Sequence, residues 1–131
     1  MDARLEAQVW RRARNRCEYC GFPAEFTRVP FQIDHIIAKK HRGRTTSDNL
    51  ALSCFFCNTF KGANLAGVDP KTRKITRLFH PRHDLWHDHF RWDGPLLEGR
   101  TAIGRTTIEV LRINRVDAIA VRESLLEEGD L

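Results

Sequence analysis

Four cysteines stand in two pairs with the spacing of metal ligands, Cys17–Cys20 and Cys54–Cys57. Two thiolates three positions apart can reach the same ion, and two such pairs complete a tetrahedral site of the kind that holds structural zinc. Two disulfides are one alternative, which a reducing compartment disfavours. A thioredoxin-like redox pair is another, and it leaves the remaining cysteines without a role. The cysteines therefore predict a closed Zn²⁺ site that stabilises the fold and leaves catalysis to other residues.

A second group of polar residues lies between and beside the cysteine pairs: Asp34, His35, Asn49 and Asn58. Asp34 and Asn58 offer oxygen ligands of the kind that Mg²⁺ or Mn²⁺ prefers. A neutral imidazole with a pKa of about 6.5 can take a proton from water, which makes His35 a candidate general base. Asn49 could hold the intervening loop or the imidazole in place. Together these residues predict metal-assisted hydrolysis of a phosphodiester.

Short elements must position these side chains. The alternation of apolar and polar residues over 31–35 predicts a strand whose successive side chains point to opposite faces. Residues 50–52 resume the alternation as a second strand, and residues 54–61 predict a second metal knuckle that opens a short helix ending at Gly62. Helical spacing of apolar residues also predicts an N-terminal helix over 3–15.

The chain after residue 62 changes in character. Residues 80–92 are dense in histidine and aromatic residues, and the segment 92–95 indicates a turn. Helices are predicted over 101–113 and 116–126. The whole chain, residues 1–131, is predicted to be one α+β domain.

The charge of the chain is uneven. The formal net charge is +5, and residues 1–50 carry ten Lys and Arg against six Asp and Glu, whereas residues 101–131 carry four against six. A basic first part indicates a polyanionic partner such as nucleic acid. The residues expected to contact DNA are basic side chains of one loop and one lysine of the predicted short helix: Lys39, Lys40, Arg42, Arg44 and Lys61.

No apolar run approaches the about 18 residues of a membrane span. The N-terminus is charged throughout and lacks the apolar centre of a signal peptide. We therefore expect a cytoplasmic protein without membrane contact.

In this order, the residues resemble the motif of the HNH endonuclease family, which has a D-H pair, a central N, and a closing H or N beside the second C-x-x-C. The matching residues are Asp34-His35, Asn49 and Asn58, and Cys17 and Cys20 match the upstream zinc pair of the Cys₄ subgroup. Asn58 stands where many relatives have His, so the chain is similar to an H-N-N variant. The resemblance covers about residues 15–62. Residues 63–131 are similar to the extension of free-standing bacterial HNH proteins.

The resemblance implies a ββα-metal core of two antiparallel strands and a helix around one catalytic metal ion, and it implies hydrolysis of DNA. It implies that His35 is the general base, that Asp34 and Asn58 hold the catalytic Mg²⁺ or Mn²⁺, and that Asn49 positions the base. A bacterial or phage protein of the cytoplasm is the setting it implies.

His80 and His89 in the extension could also approach the metal or the phosphate. No element indicates base-specific contacts, so we expect low sequence specificity. The C-terminal helices could bury a dimer face.

Two other functions stay open at this point. A Cys₄ zinc module that binds nucleic acid without cutting it would explain the cysteines and the charge, but it gives no reason for the Asp34-His35 pair. A zinc-stabilised protein-interaction domain would show no salt-dependent affinity for DNA.

Overall fold

The computed structural model describes all 131 residues, which divide into two compact units. The first unit comprises Met1–Leu65 and His80–Asp84, and the second comprises Ala66–Phe79 and Leu85–Leu131. Both contain helices and short antiparallel strands, which confirms the predicted α+β class. The single domain, with its core at about 15–62 and its extension at about 63–131, stays a prediction. None of the helices has both the length and the apolar character needed to cross a membrane.

The centre of the first unit is a hairpin followed at once by a helix. Strands β1 (Gln32–His35) and β2 (Leu50–Ser53) pair antiparallel, and helix α2 (Phe55–Lys61) begins two residues after β2 ends. All four residues of β2 are buried, whereas β1 buries Asp34 and leaves His35 partly exposed. Successive side chains of a strand point to opposite faces, so Asp34 and His35 lie on opposite sides of β1.

An N-terminal helix, α1 (Ala3–Arg12), packs on β2. The Asp2 carboxylate caps it by accepting a hydrogen bond of 2.8 Å from the Leu5 amide. The helix ends short of the predicted residue 15, because Arg14 and Asn15 have φ angles of 54° and 58°, outside the right-handed helical region. The Arg12 guanidinium turns inward and donates to the Leu50 carbonyl at 2.5 Å, which anchors the helix to the start of β2.

The second unit contains two further hairpins and three helices. Its elements in chain order are β3 (Ala66–Val68), β4 (Ile75–Arg77), α3 (Trp86–His89), β5 (Phe90–Asp93), β6 (Leu96–Gly99), α4 (Ala102–Val110) and α5 (Val116–Glu127). Helix α4 contacts both hairpins, β3–β4 and β5–β6. The turn predicted at 92–95 is the tip of the β5–β6 hairpin, whose strands were not predicted from the sequence.

A buried ion pair joins the β3–β4 turn to helix α4. Both oxygens of the buried Asp69 carboxylate accept from Arg105, Oδ1 from Nε at 3.0 Å and Oδ2 from Nη2 at 2.9 Å. Thr72 donates a further hydrogen bond of 2.8 Å to Oδ2. These hydrogen bonds, those of Arg105 first, hold the pKa of Asp69 well below its usual range.

We predict that Asp69→Asn lowers the melting temperature at neutral pH, because the amide removes the charge that Arg105 faces. A carboxylate whose folded pKa is depressed stabilises the fold above its ordinary pKa of about 3.9 and loses that contribution as the pH falls through the folded value. The difference from wild type should therefore narrow as the pH is lowered from about 5 towards about 2. Thermal unfolding followed by circular dichroism measures it.

The matched control is Asp117→Asn, because Asp117 pairs with Arg115 at the surface with 66% of its side chain exposed. Exposed pairs contribute little, so this variant should melt close to wild type. Equal melting temperatures of Asp69→Asn and wild type at neutral pH would contradict the stabilising role of the buried pair.

Candidate metal centre and catalytic site

The four cysteines converge on one point of the first unit. Their sulfur atoms all lie within 4.8 Å of one another, and all four residues are buried. The Sγ atoms of Cys20 and Cys54 are 3.8 Å apart. That separation is about the edge of a tetrahedron with Zn–S bonds of about 2.3 Å. None of the four forms a disulfide. The set is therefore positioned to bind one metal ion, as the spacing predicted, and four thiols suit zinc.

Hydrogen bonds among the clustered thiols also shift the pKa values of three of them. Hydrogen bonds from the neighbouring cysteines, Cys17 first, lower the pKa of the Cys54 thiol. The same contacts raise the pKa of Cys20 and Cys57. Negative charges on four sulfurs this close repel one another unless a divalent ion compensates them. Binding of such an ion would release the protons of the thiols.

The two cysteine pairs are tied to the hairpin by backbone contacts. The Glu18 amide donates to the Leu52 carbonyl at 2.8 Å, and the Leu52 amide donates to Glu18 Oε2 at 2.8 Å. The first pair therefore lies along β2. Cys54 follows β2 directly, and its sulfur caps α2 by accepting from the Cys57 amide at 3.4 Å. A bound ion would thus join the Cys17–Cys20 segment, the first knuckle, to the junction between β2 and α2.

Asp34 is the most constrained of the proposed catalytic residues. It is 4% exposed, and its Oδ2 atom accepts from the Tyr19 hydroxyl at 2.7 Å and pairs with the Lys61 ammonium at 3.0 Å. Burial raises the pKa of Asp34, while Lys61 and Tyr19 act in the opposite direction. A carboxylate held in this way has one orientation.

Lys61, which was predicted to contact DNA, is buried. It is 2% exposed, and its ammonium also contacts the carbonyls of His35 at 3.3 Å and Ile36 at 3.0 Å. An ammonium enclosed by a carboxylate and two carbonyls has no free face for a phosphate. Lys61 is therefore not positioned to contact DNA.

Asn58 lies on α2, three residues before Lys61, and is partly exposed. Residues three apart share one face of a helix, so Asn58 is on the face that directs Lys61 to Asp34. A carboxylate and an amide on facing elements are a ligand set for a hard cation such as Mg²⁺. The assignment of Asp34 and Asn58 as its ligands stays a prediction.

His35 is partly exposed at the end of β1, so its ring can meet solvent. Its Nε2 atom lies 2.8 Å from the Thr45 hydroxyl. Burial, with a smaller contribution from Lys39, lowers the pKa of His35 below its usual value. The imidazole is therefore neutral near pH 7, the form that can accept a proton.

Asn49 supports the loop between the strands. Its Oδ1 accepts from the Ile37 amide at 2.8 Å, and its Nδ2 donates to the carbonyls of Ile37 at 3.0 Å and Arg44 at 2.9 Å. One amide thus holds both ends of the loop 37–44. A Cβ on Gly43 would lie 1.6 Å from the Ile37 carbonyl oxygen, so only glycine fits there. Of the two roles considered for Asn49, these contacts are those of loop support.

The basic residues of this loop, Lys39, Lys40, Arg42 and Arg44, are all exposed. The loop begins with a 3₁₀ turn at Lys39–His41, and the His41 ring contacts the Ala63 carbonyl at 3.1 Å. Their contact with DNA stays a prediction.

His80 and His89 belong to different units. In the first unit, the His80 ring stacks on His83 with centroids 3.9 Å apart. In the second, His89 Nδ1 lies 2.6 Å from the Thr101 hydroxyl, and the His89 and Phe79 rings form a T-shaped contact with centroids 5.9 Å apart. A role for either histidine at the catalytic metal stays a prediction.

Tyr19 and Thr45 contact Asp34 and His35, and neither was predicted to belong to the site. The position of Tyr19 between two predicted metal ligands was a usable signal, because a residue so placed has little conformational freedom. No sequence signal indicated Thr45, because a single threonine in a polar loop carries no pattern.

The cysteine-rich part of the chain is similar to a known family. The family model of the HNH endonucleases matches residues 17–64. The chain is also similar to the Septu protein PtuB of Bacillus thuringiensis, with 24% identity over 116 residues, which is 87% of this chain. It spans only 42% of the length of that relative. The search of solved structures found no match.

We predict that the purified protein holds one Zn²⁺ per chain by elemental analysis. Cys54→Ser should lose the metal and the helical circular dichroism of the first unit, because Cys54 is both a ligand and the cap of α2. The control is Ser53→Ala, which removes a neighbouring buried hydroxyl that donates to the Cys54 carbonyl. It should retain the metal. A Cys54→Ser protein with full zinc content would refute the site.

Proposed function

From the HNH endonuclease domain in residues 17–64, we propose that this protein is a metal-dependent DNA endonuclease. The observation that carries the proposal is the arrangement at the end of β1. Asp34 is buried and held by two donors, and the adjacent His35 reaches solvent on the other face of the strand. A fixed carboxylate beside an accessible neutral imidazole suits metal-assisted attack by water.

The chain's own residues divide the chemistry between them. Asp34 and Asn58 would hold Mg²⁺ or Mn²⁺, which supplies charge stabilisation at the phosphate and the leaving oxygen. His35 takes a proton from the attacking water at a ring nitrogen. The new bond forms between the water oxygen and phosphorus, and the bond to the 3′ oxygen breaks, which leaves a 5′-phosphate. Asn49 keeps in place the loop 37–44, which carries the basic residues and leads directly into Thr45.

The second candidate is a Cys₄ module that binds nucleic acid without cutting it. The cysteine cluster and the exposed basic loop support it equally well. It gives no reason for a buried, doubly held Asp34 next to a solvent-accessible histidine. A cleavage assay separates the two functions.

We predict that the wild type relaxes or linearises supercoiled plasmid with Mg²⁺ or Mn²⁺, and that His35→Ala binds the plasmid but cuts it about 10²–10⁴-fold more slowly, the usual contribution of a general base. Asp34→Ala should retain its zinc and lose cleavage. His87→Ala, which removes an exposed imidazole from the second unit, is the control and should cut like wild type. Gel shifts without cleavage by wild type in every divalent metal would favour the binding module.

The basic loop gives a separate prediction about affinity. Replacing Lys39 and Lys40 together by Gln should weaken DNA binding and reduce the slope of log affinity against log salt by about 0.9 for each phosphate that the protein no longer neutralises. The matched control replaces Lys71 and Lys74, two exposed lysines of the β3–β4 turn, in the same way. Equal salt slopes in the two double variants would show that the loop does not contact the phosphates.

A further inference from the structure

Tyr19 is one of the two residues between the first pair of cysteines, and its side chain is fully buried. The backbone on either side is held by the metal ligands Cys17 and Cys20, and the neighbouring Glu18 is bonded twice to Leu52 of β2. Tyrosine has only two side-chain torsions, so a fixed backbone and full burial leave its hydroxyl one position.

That hydroxyl donates to Oδ2 of Asp34 at 2.7 Å, and the Lys61 ammonium approaches the same oxygen at 3.0 Å. The terminal torsion of an aspartate is soft, so a carboxylate with no donors could rotate. Two donors on one oxygen stop that rotation. They also leave Oδ1 as the oxygen that a metal ion can take.

A carboxylate oxygen can only accept, so the Tyr19 hydroxyl is the donor of this hydrogen bond. The contact is one-directional: the first knuckle supplies the donor and the proposed catalytic carboxylate accepts.

We infer that Tyr19 is a positioning residue that links the structural metal site to the proposed catalytic one, by holding Asp34 in the orientation that binds Mg²⁺ or Mn²⁺. This inference rests on the proposed function. The competing explanation is that Tyr19 only fills the core and that Asp34 merely satisfies its hydroxyl. The two explanations differ in what they expect for ion binding at Asp34.

The test removes the hydroxyl and keeps the ring. In Tyr19→Phe, zinc content should stay at one per chain, and Mn²⁺ titrated without DNA and followed by electron paramagnetic resonance should bind about 10-fold more weakly, as for other groups that orient a metal ligand. The Mn²⁺ concentration for half-maximal cleavage should rise by the same factor, while the rate at saturating Mn²⁺ falls less.

Ser53→Ala is the matched control, because it deletes another buried hydroxyl near the cysteines that does not contact Asp34. It should bind Mn²⁺ like wild type. Wild-type Mn²⁺ affinity in Tyr19→Phe, or an equal loss in both variants, would overturn the inference. A wild type that neither binds Mn²⁺ nor cuts DNA would overturn the proposed function itself, and the inference with it.

A second measurement does not depend on the stability of any Tyr19 variant. The chain has one tyrosine, so 3-fluorotyrosine labels position 19 alone. Titration with Mg²⁺ should shift its fluorine resonance over the same concentrations that activate cleavage, and the shift should vanish in Asp34→Ala. If Mg²⁺ activates cleavage and the fluorine resonance does not shift, Tyr19 is not coupled to the ion at Asp34, and the inference is overturned.

Discussion

The cysteine cluster is the constraint on which the first unit depends. The unit is small, and its hairpin has only four residues in each strand, so apolar burial alone is a limited source of stability. Cys17 and Cys20 belong to the segment that lies along β2, whereas Cys54 and Cys57 belong to the turn that starts α2. An ion shared by the four thiols would fix that segment, the strand and the helix together, and metal affinity would then be folding free energy.

This arrangement explains how such a short hairpin can carry a buried ion pair. Burying Asp34 and Lys61 costs desolvation energy, which their attraction repays only if the remaining polar atoms are also satisfied. Lys61 has two backbone carbonyls besides the carboxylate, and Asp34 has the Tyr19 hydroxyl. Tyr19 comes from the Cys17–Cys20 segment and Lys61 from α2, the two elements that a bound ion would join. The geometry of this polar centre would therefore depend on the metal site.

The elements that follow from local spacing were predictable, and the contacts that follow from tertiary packing were not. The two C-x-x-C pairs, the alternation around Asp34 and the helix ending at Gly62 are local patterns, and the structure has each of them. Lys61 was predicted to contact DNA, and no local pattern shows that its ammonium is buried against Asp34. Lys61 lies three residues after Asn58, so the two residues share one face of α2. That this face is turned towards Asp34 follows only from the packing of α2 on β1.

The second unit shows the same division. The helix at Ala102–Val110 begins after a threonine cap and was predictable, since capping residues are local signals. Strands β5 and β6 were not predicted. Phe90–Asp93 does alternate apolar and charged residues, but it has only four residues and continues a run dense in histidine and aromatic residues. The pairing of Asp69 with Arg105 joins residues far apart in the chain, which no short-range pattern records.

Two buried acidic residues in this chain show how a structural carboxylate differs from one assigned to chemistry. Asp69 uses both oxygens, which accept from the fork of Arg105, and Thr72 adds a further donor. Such a carboxylate is saturated and can only stabilise. Asp34 contacts its two donors, the Tyr19 hydroxyl and the Lys61 ammonium, through Oδ2 alone, and both donor side chains are buried. A buried acid whose contacts are gathered on one oxygen is oriented without being saturated, and that is the arrangement a metal ligand requires.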